Sequence, residues 1–320
     1  MQKRKRDTQS LSTWDIFVRG LLATTLLLAI FVLLKEASVD VTDTVNNPHV
    51  EAVTAADNTD NLESVACNNE AWAKIMMAAV TGGEITLECN GVIYLENTLL
   101  ITKDLTIIGS SELITILSGG NYVETMFRVM NGATLTLHDI KIIDSNRYGI
   151  YLMPGTMLDA RNIRLSGHGS GDSDGAAIWN DGGYVNIEQS VIEHNHSHDD
   201  AAGIMNWRNG IVDVFAVSFR DNSAGIEADG TGAAILNYGL LTVENSSFVD
   251  NRTPNSTGSA IASLNGTITI ENSDFMNNSA AGAAIYNATH SEMTLIDNNF
   301  TGNTVNCENH GIVNDVNVCP

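Results

Sequence analysis

Basic residues, aromatics and prolines are all scarce in this 320-residue chain. Sixteen Lys and Arg stand against 38 Asp and Glu, a formal charge of −22. No basic surface is left to meet a phosphate backbone, which excludes a nucleic-acid binder. Only 17% of residues are charged while 43% are apolar, so an acidic disordered chain is excluded as well. Aromatics are 6% of the chain, and 4 Pro are set against 27 Gly. The length suits one elongated domain or two compact ones.

The charge is unevenly placed. Residues 1–15 carry the cluster Lys3, Arg4, Lys5 and Arg6, and 16–34 form a 19-residue apolar run broken only by Arg19. Such a run is long enough to span a bilayer, with Arg19 snorkelling and the basic flank held in the cytosol. Two readings fit, a cleaved signal peptide or a retained signal anchor. Cleavage after Ala37 would put Lys35 where a small residue is wanted. Either reading exports the remainder to the cell surface or beyond, with a membrane contact only if the segment is kept. Residues 35–66 read as an acidic, solvated linker.

There are four cysteines, Cys67, Cys89, Cys307 and Cys319, with no CxxC spacing, so a disulfide framework is favoured over zinc. Proximity favours Cys67–Cys89 and Cys307–Cys319 among the three possible pairings.

What the chain does have is a repeat. GIVDVFAVSFRDN (210–222), GLLTVENSSFVDN (239–251), GTITIENSDFMNN (266–278) and SEMTLIDNNFTGN (291–303) align, with Phe219, Phe248, Phe275 and Phe300 at intervals of 29, 27 and 25 residues. Asn222, Asn251, Asn278 and Asn303 follow three positions on. GAAI at 175, 232 and 282 and GSAI at 258 interleave with them, and Asn180, Asn237 and Asn287, with Asn206, stand two residues past the same isoleucine position. Stretches such as Ile268-Thr269-Ile270 alternate with the period of a strand.

Repeats of this length, without a helical half, predict an all-β fold: a right-handed parallel β-helix over 67–320 with three short strands per turn. Neither hexapeptide spacing nor the calcium-roll nonapeptide is present. Roughly nine coils are expected, making a rod about 45 Å long. The Phe series becomes an internal stack and the Asn series a hydrogen-bonded ladder at a bend. The solenoid ends need caps. Trp72, Ile75, Met76 and Ala79 have helical spacing and predict a capping helix over about 68–80; the segment 307–319, closed by a disulfide, is expected to cap the other end.

On these motifs the chain resembles the repeats of the chlamydial polymorphic membrane proteins, with GAAI as their GGAI-like element and FRDN, FVDN, FMNN and FTGN as their FxxN. More broadly it is similar to the pectate-lyase-like superfamily of right-handed β-helices, over about residues 70–305. The C-terminal membrane barrel of the polymorphic proteins has no counterpart here, so export through a barrel of its own is not expected. The resemblance implies the fold; chemistry varies across such folds, from lyases and hydrolases to adhesins and stalks.

The galacturonan hydrolases of this superfamily would place NTD, DD, GHG and RIK in that order. Here Asn58-Thr59-Asp60 lies in the linker, Asp199-Asp200 follows Gly167-His168-Gly169, and no RIK occurs. That order is wrong for an acid–base pair straddling one glycosidic bond, and coincidence is the better account of the fragments. Of the arginines a lyase would need as a base, Arg220 within FRDN stands one residue from the apolar stack. Three acidic loops offer a calcium site instead: Asp172 and Asp174, Asp199 and Asp200, Glu227 and Asp229. His168, His194, His196 and His198 suit a transition metal. The expected function is a secreted or surface-exposed, non-enzymatic β-helix that binds a polysaccharide or a host or cell-surface glycan, or serves as a stalk. The rivals are a calcium-assisted polysaccharide lyase of the pectate-lyase type and a matrix-like filament piece.

Overall fold

The computed structural model describes residues 63–64, 67, 71–88, 90–110, 115–169, 176–225 and 230–313. All fall in the unit Asp60–Pro320; the unit Met1–Thr59 lies outside them, and with it the basic cluster, the apolar run 16–34 and most of the linker. Among the described residues no helix is long and apolar enough to cross a membrane.

The strands are two to five residues long, and each but those at the sheet ends pairs in parallel with its counterparts one coil before and one coil after. Three long sheets result, of eleven, nine and nine strands. One coil shows the path: Tyr184–Glu188 in the first sheet, Val191–Glu193 in the second, then Ile204–Asn206 in the third. Between the last two lies His196–Ser197, part of a four-stranded fourth sheet with Ser223–Ala224, Arg252–Thr253 and Ser279–Ala280. Three strands per turn is therefore an incomplete description of these coils. The extra sheet forms because the dipeptide after each bend is held in register by the bend itself.

Side chains alternate in and out along every strand. Thr267–Glu271 buries Ile268 and Ile270 and turns Thr267, Thr269 and Glu271 outward. In-register pairing stacks the inward residues. Phe219, Phe248, Phe275 and Phe300 pair in sequence, with ring centroids 4.8, 4.8 and 5.0 Å apart and nearly parallel planes. The first three are fully buried.

The bend after the second sheet explains FxxN. Phe points in and the next residue out; the third turns the chain, with φ of 51° at Asp221, 55° at Asp250 and 54° at Asn277. Asp and Asn adopt this left-handed conformation more readily than most residues. The fourth is the ladder Asn. Asn222 Oδ1 accepts from the backbone N–H and the Nδ2 of Asn195, at 3.2 and 2.9 Å. Asn222 Nδ2 in turn donates to Asn251 Oδ1 and to the Ile192 carbonyl, at 3.0 and 2.9 Å. The pattern continues through Asn278 to Asn303. Each buried backbone group at the bend thus finds a partner.

His168 heads this ladder. Its backbone N–H donates to Asn195 Oδ1 at 3.0 Å. Its ring Nε2–H donates to the Ile142 carbonyl at 3.0 Å, and Nδ1 accepts from Ser145 Oγ at 2.7 Å. A carbonyl only accepts, which assigns the proton to Nε2. A second ladder runs at the corner between the third and first sheets, from Asn180 to Asn206 to Asn237 at 2.9 and 2.7 Å, and from Asn287 to Asn309 at 2.7 Å.

Ala71–Thr81 is the capping helix. Ala71, Ile75 and Ala79, at i, i+4 and i+8, face the first coil and join the solenoid core. Met76 lies 43% exposed, contrary to its expected place on the packed face. Small residues on the buried stripe let the helix approach the strands closely and turn the long side chains out. Gly82 ends the helix at φ 77°, its N–H donating to the Ala78 carbonyl. Cys67 and Cys307 are disulfide-bonded, while Cys89 and Cys319 lie outside the described residues.

Two outcomes follow from the ladder. Asn251→Ala leaves the Asn222 N–H, the Asn222 Nδ2 and the Phe219 carbonyl short of a partner. It is expected to cost about 3 kcal/mol or more in denaturant unfolding, against under about 1 kcal/mol for Asn299→Ala, which loses one exposed bond to Asp274. Equal costs would remove the ladder from the account. Burial of His168 pushes its pKa down to about 4, against the hydrogen bond to the Ile142 carbonyl. Between pH 6.5 and 4 the unfolded chain takes up a proton that the native chain refuses. Stability should therefore fall with falling pH, by roughly 3 kcal/mol in full. Asn fits the ladder without titrating, so His168→Asn should flatten that slope; an unchanged slope in urea melts would refute the assignment.

Candidate functional site

Of the expected site residues, the described ones are Asp199, Asp200, His168, His194, His196, His198 and Arg220. Asp172, Asp174, Glu227 and Asp229 lie outside the described residues. Asp200 Oδ1 accepts from the backbone N–H and hydroxyl of Thr231, at 2.8 and 3.3 Å, and so ties its loop to the next coil. Among the described residues no group of three His, Cys, Asp or Glu is placed to hold a metal ion. His168 is buried with both ring nitrogens engaged. His196 shares a 2.9 Å hydrogen bond with Ser223, and burial followed by the neighbouring His198 lowers its pKa. His194 is exposed between Glu193 and Asp221. Arg220 contacts the buried Glu193 at 3.0 Å, and Arg164 pairs with the same carboxylate from the preceding coil. Arg220 is thus one arm of an ion triad.

The outer face of the third sheet is different. Beyond the interior core the structure has a second apolar cluster, built on Tyr148, Met205, Leu236 and small alanines. Packed over it, half-buried, are Tyr151, Trp179, Trp207, Tyr238, Leu264 and Tyr286. The strand rule places them. In Tyr148–Leu152 and Ala176–Asn180, Ile150 and Ile178 point in, so Tyr151 and Trp179 point out in register with each other. Trp207 and Tyr238 each follow a ladder Asn at the corner, where the chain leaves the sheet.

The rings form groups along one line. Tyr148 lies 5.6 Å from Tyr151 and 5.0 Å from Trp179, while Tyr151 and Trp179 are parallel at 6.4 Å. Trp207 and Tyr238 meet at 4.6 Å. Farther along, Tyr286 lies 5.7 Å from His310, which contacts Glu308 at 2.7 Å. Arginines cover several rings: Arg128 over Tyr151 at 5.2 Å, Arg147 over Tyr148 at 4.6 Å and Arg208 over Trp207 at 5.7 Å. Polar groups edge the strip. The Tyr151 hydroxyl donates to Asp181 at 3.1 Å, and burial, then Asp181, raises its pKa. Burial and Asp200 raise that of Tyr238. Beside Tyr238 a trough of about 390 Å³ crosses the corner, floored by Gly210, Gly239 and Gly266.

The low aromatic count of the whole chain concealed this concentration. The signal lay beside the ladder Asn, in Trp179-Asn180, Asn206-Trp207, Asn237-Tyr238 and Tyr286-Asn287.

Residues 125–315, about seven turns of the solenoid, match the family described as "Right handed beta helix region". No curated protein matches the chain. Among solved structures, a 1,3-α-1,4-β-D-galactose-4-sulfate-3,6-anhydro-D-galactose-2-sulfate 4 galactohydrolase is 10% identical with a TM-score of 0.33, over 86% of this chain and 97% of that one. The catalytic unit of a thermostable GH87 α-1,3-glucanase from Streptomyces thermodiastaticus strain HF3-3 is 11% identical with a TM-score of 0.33, over 82% and 69%. PfbA, a surface adhesin of Streptococcus pneumoniae, is 8% identical with a TM-score of 0.23, over 73% and 87%. At these values the likenesses carry no argument about activity. The family match, which covers more than half of the sequence, does establish kinship: the chain belongs to the right-handed β-helix family.

Proposed function

We propose that this protein is an exported glycan-binding β-helix and that the outer face of its third sheet is the binding surface. The observation that carries the reading is the line of half-buried rings, Tyr151, Trp179, Trp207, Tyr238 and Tyr286. A contiguous apolar strip with polar groups at its edges marks a binding site. Flat rings offer apolar faces to the C–H face of a sugar, and Tyr and Trp keep a polar tip for its hydroxyls. Coils rise about 4.8 Å apart, so rings on successive coils meet successive parts of an extended chain lying along the axis.

Binding rather than cleavage is the reading because three described groups suited to acid–base chemistry are committed to the fold. His168 is sealed into the ladder, Arg220 is tied to Glu193, and Asp181 accepts from Tyr151. Export to the surface rests on the basic cluster and the apolar run 16–34.

Binding of the full chain to an immobilised polysaccharide panel tests this directly. Trp179→Ala and Trp207→Ala should each weaken binding about tenfold, the size of one lost stacking contact plus its buried area, with a near-native melting temperature. Trp72→Ala, on the capping helix, should leave affinity unchanged. Equal losses at all three tryptophans, or none at Trp179 and Trp207, would reject the face.

A further inference from the structure

Arg128 and Arg208 narrow the class of glycan, an inference that rests on the reading above. Both arginines are exposed, each lies over a ring of the strip, and among the described residues neither makes an ion pair or a side-chain hydrogen bond. Arg161 and Arg252 likewise have no ion pair among the described residues, so the ring beneath Arg128 and Arg208 is what sets these two apart. Arg164 and Arg220, on the second sheet, share Glu193. The ring beneath each free guanidinium orients it and leaves its planar donors turned to solvent, a geometry suited to a carboxylate or sulfate.

Register sets the distance between them. Arg128 pairs with Tyr151, then Trp179, then Met205, so three coil spacings, about 14 Å along the axis, separate Arg128 from the coil of Arg208. Carboxylates stand between and beside them: Asp181 against Tyr151, and Asp199 and Asp200 near Tyr238. A chain with an anion on every sugar would meet these acids and the net charge of −22. A neutral chain would leave both arginines unused.

We propose that the face recognises a sparsely acidic glycan, with carboxylate or sulfate groups spaced along an otherwise neutral backbone and engaged by Arg128 and Arg208.

The test is binding of the full chain to an immobilised library. It holds neutral glycans, alternating acidic–neutral polymers in carboxylate and in sulfate forms, and densely charged polygalacturonate. Alternating polymers should bind about tenfold or more tighter than neutral ones, with the advantage shrinking as salt rises. The carboxylate and sulfate arms report which anion is preferred. Arg128→Gln with Arg208→Gln should erase the advantage, whereas Arg252→Gln, which removes an exposed charge from the fourth sheet, should keep it. Equal binding of neutral and alternating polymers, tightest binding to polygalacturonate, or an advantage that survives the double substitution would each overturn the inference. Failure to bind any member would sink the glycan reading itself.

Discussion

Parallel pairing of each coil with the next, at a rise of about 4.8 Å, is the constraint on which the rest depends. It forces residues at equivalent positions into contact, so a side chain must tolerate its own kind above and below. Phe does so by parallel stacking within a packed interior, with ring centroids 4.8 Å apart. Asn does so by carrying donor and acceptor on one amide, so that each copy satisfies the next and the bend besides. A charged residue at the same place would repel itself. That is why, among the described residues, a strongly acidic chain has a neutral interior, and why the buried carboxylate of Glu193 is held between arginines of adjacent coils.

The same register acts on the outside, where packing no longer restricts the choice. Outward rows are free to vary, and the third sheet uses that freedom differently from the first. The first sheet turns out polar residues such as Thr242, Thr269 and Thr294, whereas the third turns out Tyr151 and Trp179 and continues into Met205 and Leu236. Its rings are kept half-buried by mutual contact and by small alanines beneath them. Packing of this kind restricts side-chain rotation, which would lower the entropic cost of binding a ligand there.

The fold was legible in the sequence because identical residues recur where the geometry stacks them. FxxN encodes an inward ring, an outward residue, a left-handed turn and a capping amide in that order. The capping helix was legible from its apolar period, although Met76 was assigned to the wrong face, since period alone does not say which stripe packs. The candidate site was not legible. Its residues occupy outward positions, do not repeat in type, and come together only through register across coils. Loop acidity drew attention instead, but acidity measures composition, and Asp200, one of its two described carboxylates, ties its loop to the next coil through Thr231. His168 shows the same limit: Gly-His-Gly looks like chemistry, yet its place in the ladder makes it a substitute for Asn.

The most direct measurement of the central claim is oxidation of tryptophan indoles in the full chain, with and without a bound polysaccharide, read by peptide mass spectrometry. The account predicts protection of Trp179 and Trp207 on the face and an unchanged rate at Trp72 on the capping helix. Protection of Trp72 alone, or unchanged rates at Trp179 and Trp207 in a saturated complex, would contradict it.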